Sequence, residues 1–206
     1  MNPFENFTTS PLIFVVMVAI AYLIGNISPS MLQARARGID IKKEGSGNAG
    51  TTNALRVLGK KAAIITLVVD ILKGTFAVIL GSLIGDHTTA MFCVVGVFCG
   101  HVWPIFYGFK GGKGVATAFG SLAGLNPLMG FTALGIVIIG VIVTRRMSAG
   151  SIFGAATFPI IAWFIEPEFI IPGTLLAICV IIKHRANLKR LIEGTEPKLS
   201  FGKKEK

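Results

Sequence analysis

Residues 62–85 read AAIITLVVDILKGTFAVILGSLIG, and only Asp70 and Lys73 bring charge into an otherwise apolar or small-residue run. A helix needs about 20 such residues to cross the hydrocarbon core of a bilayer, so this stretch predicts a membrane-spanning helix. Leu12–Leu32 and Thr89–Phe109 read the same way. Shorter apolar runs follow at Val115–Leu125, Leu128–Val143, Ile152–Ile165 and Phe169–Ile182, separated by Asn126-Pro127, by residues 145–151 and by Glu166-Pro167-Glu168. These predict an all-α integral membrane protein forming a single polytopic domain over residues 1–206.

Composition supports that class. Of 206 residues, 52% are hydrophobic and 15% charged, with a mean hydropathy of +0.72, whereas soluble domains carry about 25% charge. This balance excludes a disordered chain or a collagen. Cys93, Cys99 and Cys179 lie inside apolar runs at spacings that fit no metal or redox motif, and so read as buried thiols. A net charge of +10 would ordinarily raise nucleic acid as a partner. Here the charges fall between the apolar runs rather than along one face, which points to membrane lipids and small anions and to no nucleic acid.

Ala19-Ile20-Ala21 has the small-residue spacing of a signal-peptide cleavage site. No Lys or Arg precedes the first run, however, and the apolar stretch continues beyond it, so the run reads as a retained helix. Basic residues cluster at 35–61, at Lys110 and Lys113, at Arg145 and Arg146, and from Lys183 to Lys206. The intervening segments carry Glu5, Asp86, Glu166 and Glu168 and no Lys or Arg. Seven transmembrane helices, with the N-terminus outside and the C-terminus cytoplasmic, put every Lys and Arg except Lys73 in the cytoplasm. A five-crossing alternative folds Val115–Val143 into a re-entrant hairpin and leaves the same charges inside. Asp70 and Lys73, three residues apart within one span, read as a mutually satisfied pair rather than a relay.

Three cytoplasmic segments carry the polar chemistry, near residues 44–56, 100–117 and 184–190. The first, Glu44-Gly45-Ser46-Gly47-Asn48-Ala49-Gly50-Thr51-Thr52-Asn53 with Arg56, fits the spacing G-x-G-x-x-G. The dinucleotide reading fails on context: no strand precedes the glycines, and the acidic residue twenty positions on, Asp70, is inside a span. The segment then reads either as an anion nest with Ser46, Asn48, Thr52 and Asn53 as hydrogen-bonding side chains and Arg56 for a phosphate, or as a tight turn with a positive-inside arginine. In the second, Gly100–Thr117, Lys110, Gly111, Gly112, Lys113 and Gly114 precede a helix start. Backbone N–H groups, a helix dipole and two ammonium groups can meet one phosphate there. His101, alone at a helix end, reads as a structural histidine. In the third, His184, Asn187 and Arg190 share one face if the last helix continues through them, or the segment is a lipid-headgroup anchor. Ser148 and Ser151 offer a further small polar turn. Carboxylates are nearly absent beside the glycine loops, with only Asp40 and Glu44 close in sequence, and no His-x-x-x-x-Asp acyltransferase pattern occurs.

Together these three segments resemble the signature segments of the bacterial acyl-phosphate-dependent glycerol-3-phosphate acyltransferases, over nearly the whole chain. The resemblance implies transfer of a fatty acyl group from acyl phosphate to the 1-hydroxyl of sn-glycerol 3-phosphate. The products are lysophosphatidic acid and phosphate, and no cofactor, acyl-CoA or acyl-carrier protein takes part. It further implies seven helices, an active site facing the cytoplasm of a bacterial inner membrane, and a role early in phospholipid synthesis. By the same resemblance Gly111, Gly112, Lys113 and Gly114 hold the acyl phosphate. Ser46, Arg56, Lys110, His184 and Asn187 position glycerol phosphate or the reacting carbonyl, and Ser148 or Ser151 matches a serine near the site. Gly47, Asn48, Asn53, His101, Thr117 and Arg190 complete the expected substrate contacts of a monomer. Acyl phosphate carries its own leaving group, so a bound phosphate oxygen can take the hydroxyl proton, with His101 or His184 as the competing base. A transporter of organic phosphate anions is the reading from a different class, although no internal repeat supports it.

Overall fold

A computed structural model describes residues 7–199; Glu5, Lys203, Lys204 and Lys206, which entered the charge asymmetry, lie outside them. Helices are the only regular elements among the described residues. They run α1 (Pro11–Gly25), α2 (Pro29–Arg35), α3 (Thr51–Leu58), α4 (Lys60–Ile84), α5 (His87–Val102), α6 (Val115–Leu125), α7 (Pro127–Thr144), α8 (Met147–Ile165), α9 (Ile170–Lys183) and α10 (Arg185–Ile192). Four of these are long and apolar enough to cross a membrane: α4, α5 with the 3-10 turn after it, α7 and α8. The number rises to six if the bent pairs α1–α2 and α9–α10 each count as one span.

Local chemistry explains most boundaries. Asp86 caps α5 by accepting from the Thr89 N–H at 2.8 Å, and Asn126 caps α7 through the Met129 N–H at 3.2 Å, with Pro127 in its first turn. Two apolar runs, Leu12–Leu32 and Thr89–Phe109, are not single helices, the second leaving its α-helix after Val102. Leu12–Leu32 breaks at residues 26–28, with a bend of 41°, because Pro29 donates no N–H and disfavours helical backbone at the residue before it. The last run is helical to its end, and the chain bends by 59° at His184 beyond it, so α10 leaves the axis of α9.

Close helix contacts rest on small residues. A Cβ at Gly74 of α4 would strike the Thr117 carbonyl of α6, and one at Gly120 of α6 would strike the Ile71 carbonyl of α4. Glycine therefore lets two backbones approach where apolar side chains gain nothing by leaving lipid for each other. Many large apolar side chains face outward instead, Leu83 at 78% and Phe164 at 79% exposure among them, which suits a hydrocarbon surround.

Inside the bundle Lys73 Nζ lies 2.7 Å from Asp70 Oδ1 and donates to the Ile27 carbonyl at 2.7 Å. His101 completes this cluster, its Nδ1 accepting from Lys73 Nζ at 2.8 Å. At one end of the bundle Asp86 accepts from the Thr8 and Thr9 N–H groups at 2.7 and 2.9 Å. There too His87 donates to Glu166 at 3.1 Å, and Asn126 donates to the same carboxylate at 3.0 Å. The glycine segments gather at the other end.

Candidate active site

The first glycine segment is held by Asn53. Its Oδ1 accepts from the Ser46 N–H at 2.8 Å, and its Nδ2 donates to the carbonyls of Glu44 at 3.0 Å and Ile41 at 3.3 Å. Both ends of this buried amide are thus engaged in shaping the loop, so Asn53 supports the site rather than facing a ligand. Gly47, at φ +66°, approaches the Lys42 carbonyl so closely that a Cβ would meet it at 2.9 Å. Ser46 is exposed on this loop, Asn48 is half-buried, and Arg56 is exposed on α3 one turn beyond Asn53.

The second segment folds back on the end of α5. Gly111 N–H donates to the Val102 carbonyl at 3.2 Å and Gly112 N–H to the His101 carbonyl at 3.1 Å, while Lys42 Nζ donates to the Gly111 carbonyl at 2.8 Å. Two of the N–H groups expected to cradle phosphate are therefore occupied, and Lys113, Gly114 and the first turn of α6 remain. A Cβ at Gly112 would strike His101 Nε2 and crowd the Ala49 carbonyl at 2.9 Å, so this glycine is where the first two segments touch. His101 is buried with Asp70 and Lys73 behind that contact and serves as an anchor. Thr117 is fully buried at the seam of α4 and α6. Lys110 is exposed and lines a separate basin of about 640 Å³ with Arg35, Asp40, Lys42 and Tyr107. The structure thus separates the two lysines of the segment.

The third segment meets Lys113. His184 sits buried at the α9–α10 bend, where its Nδ1 donates to the Val180 carbonyl at 2.8 Å and leaves Nε2 as its acceptor nitrogen. Lys113 Nζ donates to Asn187 Oδ1, and Asn187 Nδ2 donates to Glu196 Oε1 at 2.7 Å. Ser148 Oγ reaches the same Oε1 at 2.6 Å, and Arg190 Nε reaches Oε2 at 2.7 Å. The two candidate serines are distinguished by these contacts: Ser148 joins the polar network, whereas Ser151 donates to the Met147 carbonyl of its own helix at 2.9 Å.

Glu196 corrects the expectation of a site nearly free of carboxylates. Gly194, at φ +72°, turns the chain back after α10, so that Glu196 N–H reaches the Arg190 carbonyl at 3.0 Å. A glycine directly after a helix end was the sequence signal for that reversal. Burial raises the Glu196 pKa, but hydrogen bonds from Ser148, Asn187 and Arg190 outweigh it and hold the carboxyl below the usual carboxylate range. Burial pushes the Lys113 ammonium down to about 8, with Glu196 opposing the shift and Arg190 and Arg56 adding to it. Lys113 thus feels residues from the first and third segments together. Lys42, beside the separate basin, is also pushed down to about 8, by burial and by Lys183, against the opposing Asp40 and with a further push from Lys110.

Below this polar cluster runs an apolar slot of about 90 Å³. Val115, the residue after Gly114, lines it together with Ser151, Val180, Phe98, Phe119 and Phe158. A site with cationic groups beside an apolar slot of this size can hold an anionic head and the first few methylenes of a hydrocarbon tail.

A family model described as glycerol-3-phosphate acyltransferase matches residues 15–194. A glycerol-3-phosphate acyltransferase of Trichlorobacter lovleyi is 47% identical over 185 residues, covering 88% of this chain and 95% of that one. One from Thermoanaerobacter sp. (strain X514) is 44% identical over 188 residues, covering 90% and 95%. Among solved structures, the glycerol 3-phosphate form of PlsY (YgiH), an integral membrane glycerol 3-phosphate acyltransferase, superposes with a TM-score of 0.85 at 29% identity. That match covers 91% of this chain and 96% of the other. The lysophosphatidic acid form of the same protein gives a TM-score of 0.82.

Proposed function

This chain belongs to the glycerol-3-phosphate acyltransferase family, and on that premise we propose that it moves a fatty acyl group from acyl phosphate to the 1-hydroxyl of sn-glycerol 3-phosphate. It is a multi-pass membrane protein and an acyltransferase. The observation that carries the site assignment is the meeting of all three segments at Lys113: Asn187 bonds its ammonium, and Arg56, Arg190 and Glu196 act on its charge. One chain supplies every part of that cluster, which supports a monomer as the working unit.

In this reading Lys113, Gly114 and the start of α6 receive the acyl phosphate, and its tail enters the slot below Val115. Arg56, His184 and Arg190 receive glycerol phosphate. The 1-hydroxyl oxygen attacks the acyl carbon, the bond from that carbon to the phosphate oxygen breaks, and phosphate departs with the electron pair. The hydroxyl proton passes to a phosphate oxygen. The protein's task is then orientation and electrostatic stabilisation of the developing oxyanion, for which positioned cations suffice. His184, with Nε2 free to accept, is the competing base, whereas His101 is engaged by Lys73.

Seven crossings fit the chain, with the N-terminus outside and the site at the cytoplasmic face of a bacterial inner membrane. Support comes from the Asn126–Glu166–His87 contacts. They keep the α6–α7 turn beside the first residue of α5, as a crossing pair requires, whereas a re-entrant hairpin would turn back midway. Helix α6 alone is about 16 Å long, and the non-helical stretch before it supplies the remaining depth.

The test is acyl transfer by protein purified into lipid, with glycerol 3-phosphate and either palmitoyl phosphate or palmitoyl-CoA. Lysophosphatidic acid forms from the acyl phosphate alone, and Lys113→Ala lowers turnover by on the order of 10²–10³-fold, the size of loss when one charge-stabilising donor is removed. Wild-type turnover in Lys113→Ala would overturn the site assignment. Product from palmitoyl-CoA alone would overturn the donor.

A further inference from the structure

We propose that Glu196 is a positioning residue for the transfer reaction: its buried carboxylate gathers Ser148, Asn187 and Arg190 so that Asn187 presents its carbonyl oxygen to Lys113. The inference rests on the reading of Lys113 as an anion-binding group.

The residue is fixed from several sides. After Gly194 the chain lies as a strap across the site: Arg146 Nε donates to the Glu196 carbonyl at 3.0 Å, and Leu199 N–H donates to the Arg145 carbonyl at 2.7 Å. The Glu196 side chain is 4% exposed and both its oxygens are engaged, so it does not touch substrate. Its effect passes through Asn187. An amide has one donor end and one acceptor end, and an ionised carboxylate takes only the donor end. Glu196 therefore fixes which way Asn187 faces and leaves Oδ1 for the Lys113 ammonium. The same carboxylate sets the charge of the site. Arg56, Lys113 and Arg190 bring three positive charges, and Glu196 reduces the surplus to two, so the site stays cationic.

The experiment measures kcat and KM for the acyl phosphate from pH 6 to 10 in lipid, for wild type, Lys113→Ala, Glu196→Gln and Glu196→Asp, each normalised to folded protein. The charged and polar groups facing Lys113 are Glu196 on the strap, Arg190 and Asn187 on α10, His184 at the bend and Arg56 on α3. Glu196→Gln keeps the shape but removes the charge that holds the proton on Lys113. Its kcat should fall about tenfold, as for loss of a hydrogen bond to a charged group, and its alkaline limb should move to lower pH. Glu196→Asp keeps the charge at a shorter reach, so its alkaline limb should stay at the wild-type position while kcat falls. Lys113→Ala inactive alongside a Glu196→Gln variant with wild-type kcat and alkaline limb per folded molecule would overturn this inference alone. Full turnover in Lys113→Ala would overturn the site assignment and this inference with it.

Discussion

Two of the carboxylate-centred clusters in this molecule, around Asp70 and around Glu196, sit at different depths. Within the bundle, Asp70 faces Lys73 at 2.7 Å and His101 adds an accepting nitrogen, so one negative charge meets one positive charge and nothing is left over. At the end of the bundle, Glu196 bonds Arg190 at 2.7 Å and is linked through Asn187 to Lys113, with Arg56 near enough to act on the same ammonium. That cluster keeps a positive surplus. A balanced set inside a membrane suits the holding of helices and loops in place, because any uncompensated charge there is expensive. An unbalanced set at the rim is free to bind anions. The comparison thus separates scaffold from site on charge count, using the same few residue types in both.

The largest expected effect comes from unbalancing the inner cluster. Asp70→Ala leaves Lys73 buried with the Ile27 carbonyl and His101 but without a counter-charge, and removing one partner of a buried pair costs about 3–5 kcal/mol. Thermal unfolding in detergent should register that loss. The double variant Asp70→Leu with Lys73→Met should recover most of the stability, since a buried pair replaced as a unit is close to neutral. If the double variant is stable but makes no lysophosphatidic acid, the pair takes part in turnover and the division between scaffold and site breaks. Wild-type stability of Asp70→Ala would remove the electrostatic role of the inner cluster altogether.

These two clusters also show what was legible in the sequence. The Asp70–Lys73 pair could be read directly, because i, i+3 spacing on one helix fixes the neighbourhood. His101 joins it from another helix, and no local pattern encodes that contact. Helix positions followed from the length of the apolar runs, but the break after Gly25 and the bend at His184 depend on which backbone bonds survive at a turn. At the rim, lysines inside a glycine run announced anion chemistry. Glu196 did not stand out, since a single glutamate in a polar tail looks solvated until Gly194 turns it inward. Asn53 erred the other way: a polar side chain in a glycine loop resembles a ligand donor, yet a loop with positive-φ turns at Gly45 and Gly47 needs its own internal partners, and Asn53 supplies them.

The rim cluster should set the alkaline limit of substrate binding. Lys113 in the free protein loses its proton near pH 8, and a bound phosphate dianion beside it favours the charged form. Binding therefore takes up a proton above pH 8, and affinity for the acyl phosphate falls as pH rises, approaching about tenfold per unit once most of the lysine is neutral. Between pH 7 and 8 the dependence should be shallow. Lys113→Arg sharpens the assignment, because a guanidinium keeps its charge across this range. Its KM should lose the alkaline rise whatever the cost to kcat. Calorimetric titration of both proteins from pH 7 to 9.5 measures this, and an unchanged alkaline rise in Lys113→Arg would move the titrating group elsewhere.

The smallest effect separates two serines three residues apart on α8. Ser148 donates to Glu196 at 2.6 Å, while Ser151 satisfies its hydroxyl on the Met147 carbonyl and lines the apolar slot. Ser148→Ala removes one of the three side-chain donors on the carboxylate but leaves Arg190 and Asn187 in place, so the loss should be about 1–2 kcal/mol, a drop in kcat/KM of roughly 5- to 30-fold. Ser151→Ala deletes a hydroxyl already bonded within its helix and leaves a methyl group facing hydrocarbon, so its effect on glycerol 3-phosphate kinetics should be less than about twofold. Any change there belongs to the acyl donor. Measuring kcat/KM separately for each substrate distinguishes the two, because the comparison assigns Ser148 to the charged cluster and Ser151 to the wall beneath it. The reverse order of effects, with Ser151→Ala the more damaging for glycerol 3-phosphate, would mean that its phosphate lies deeper, in the slot, rather than at the charged cluster.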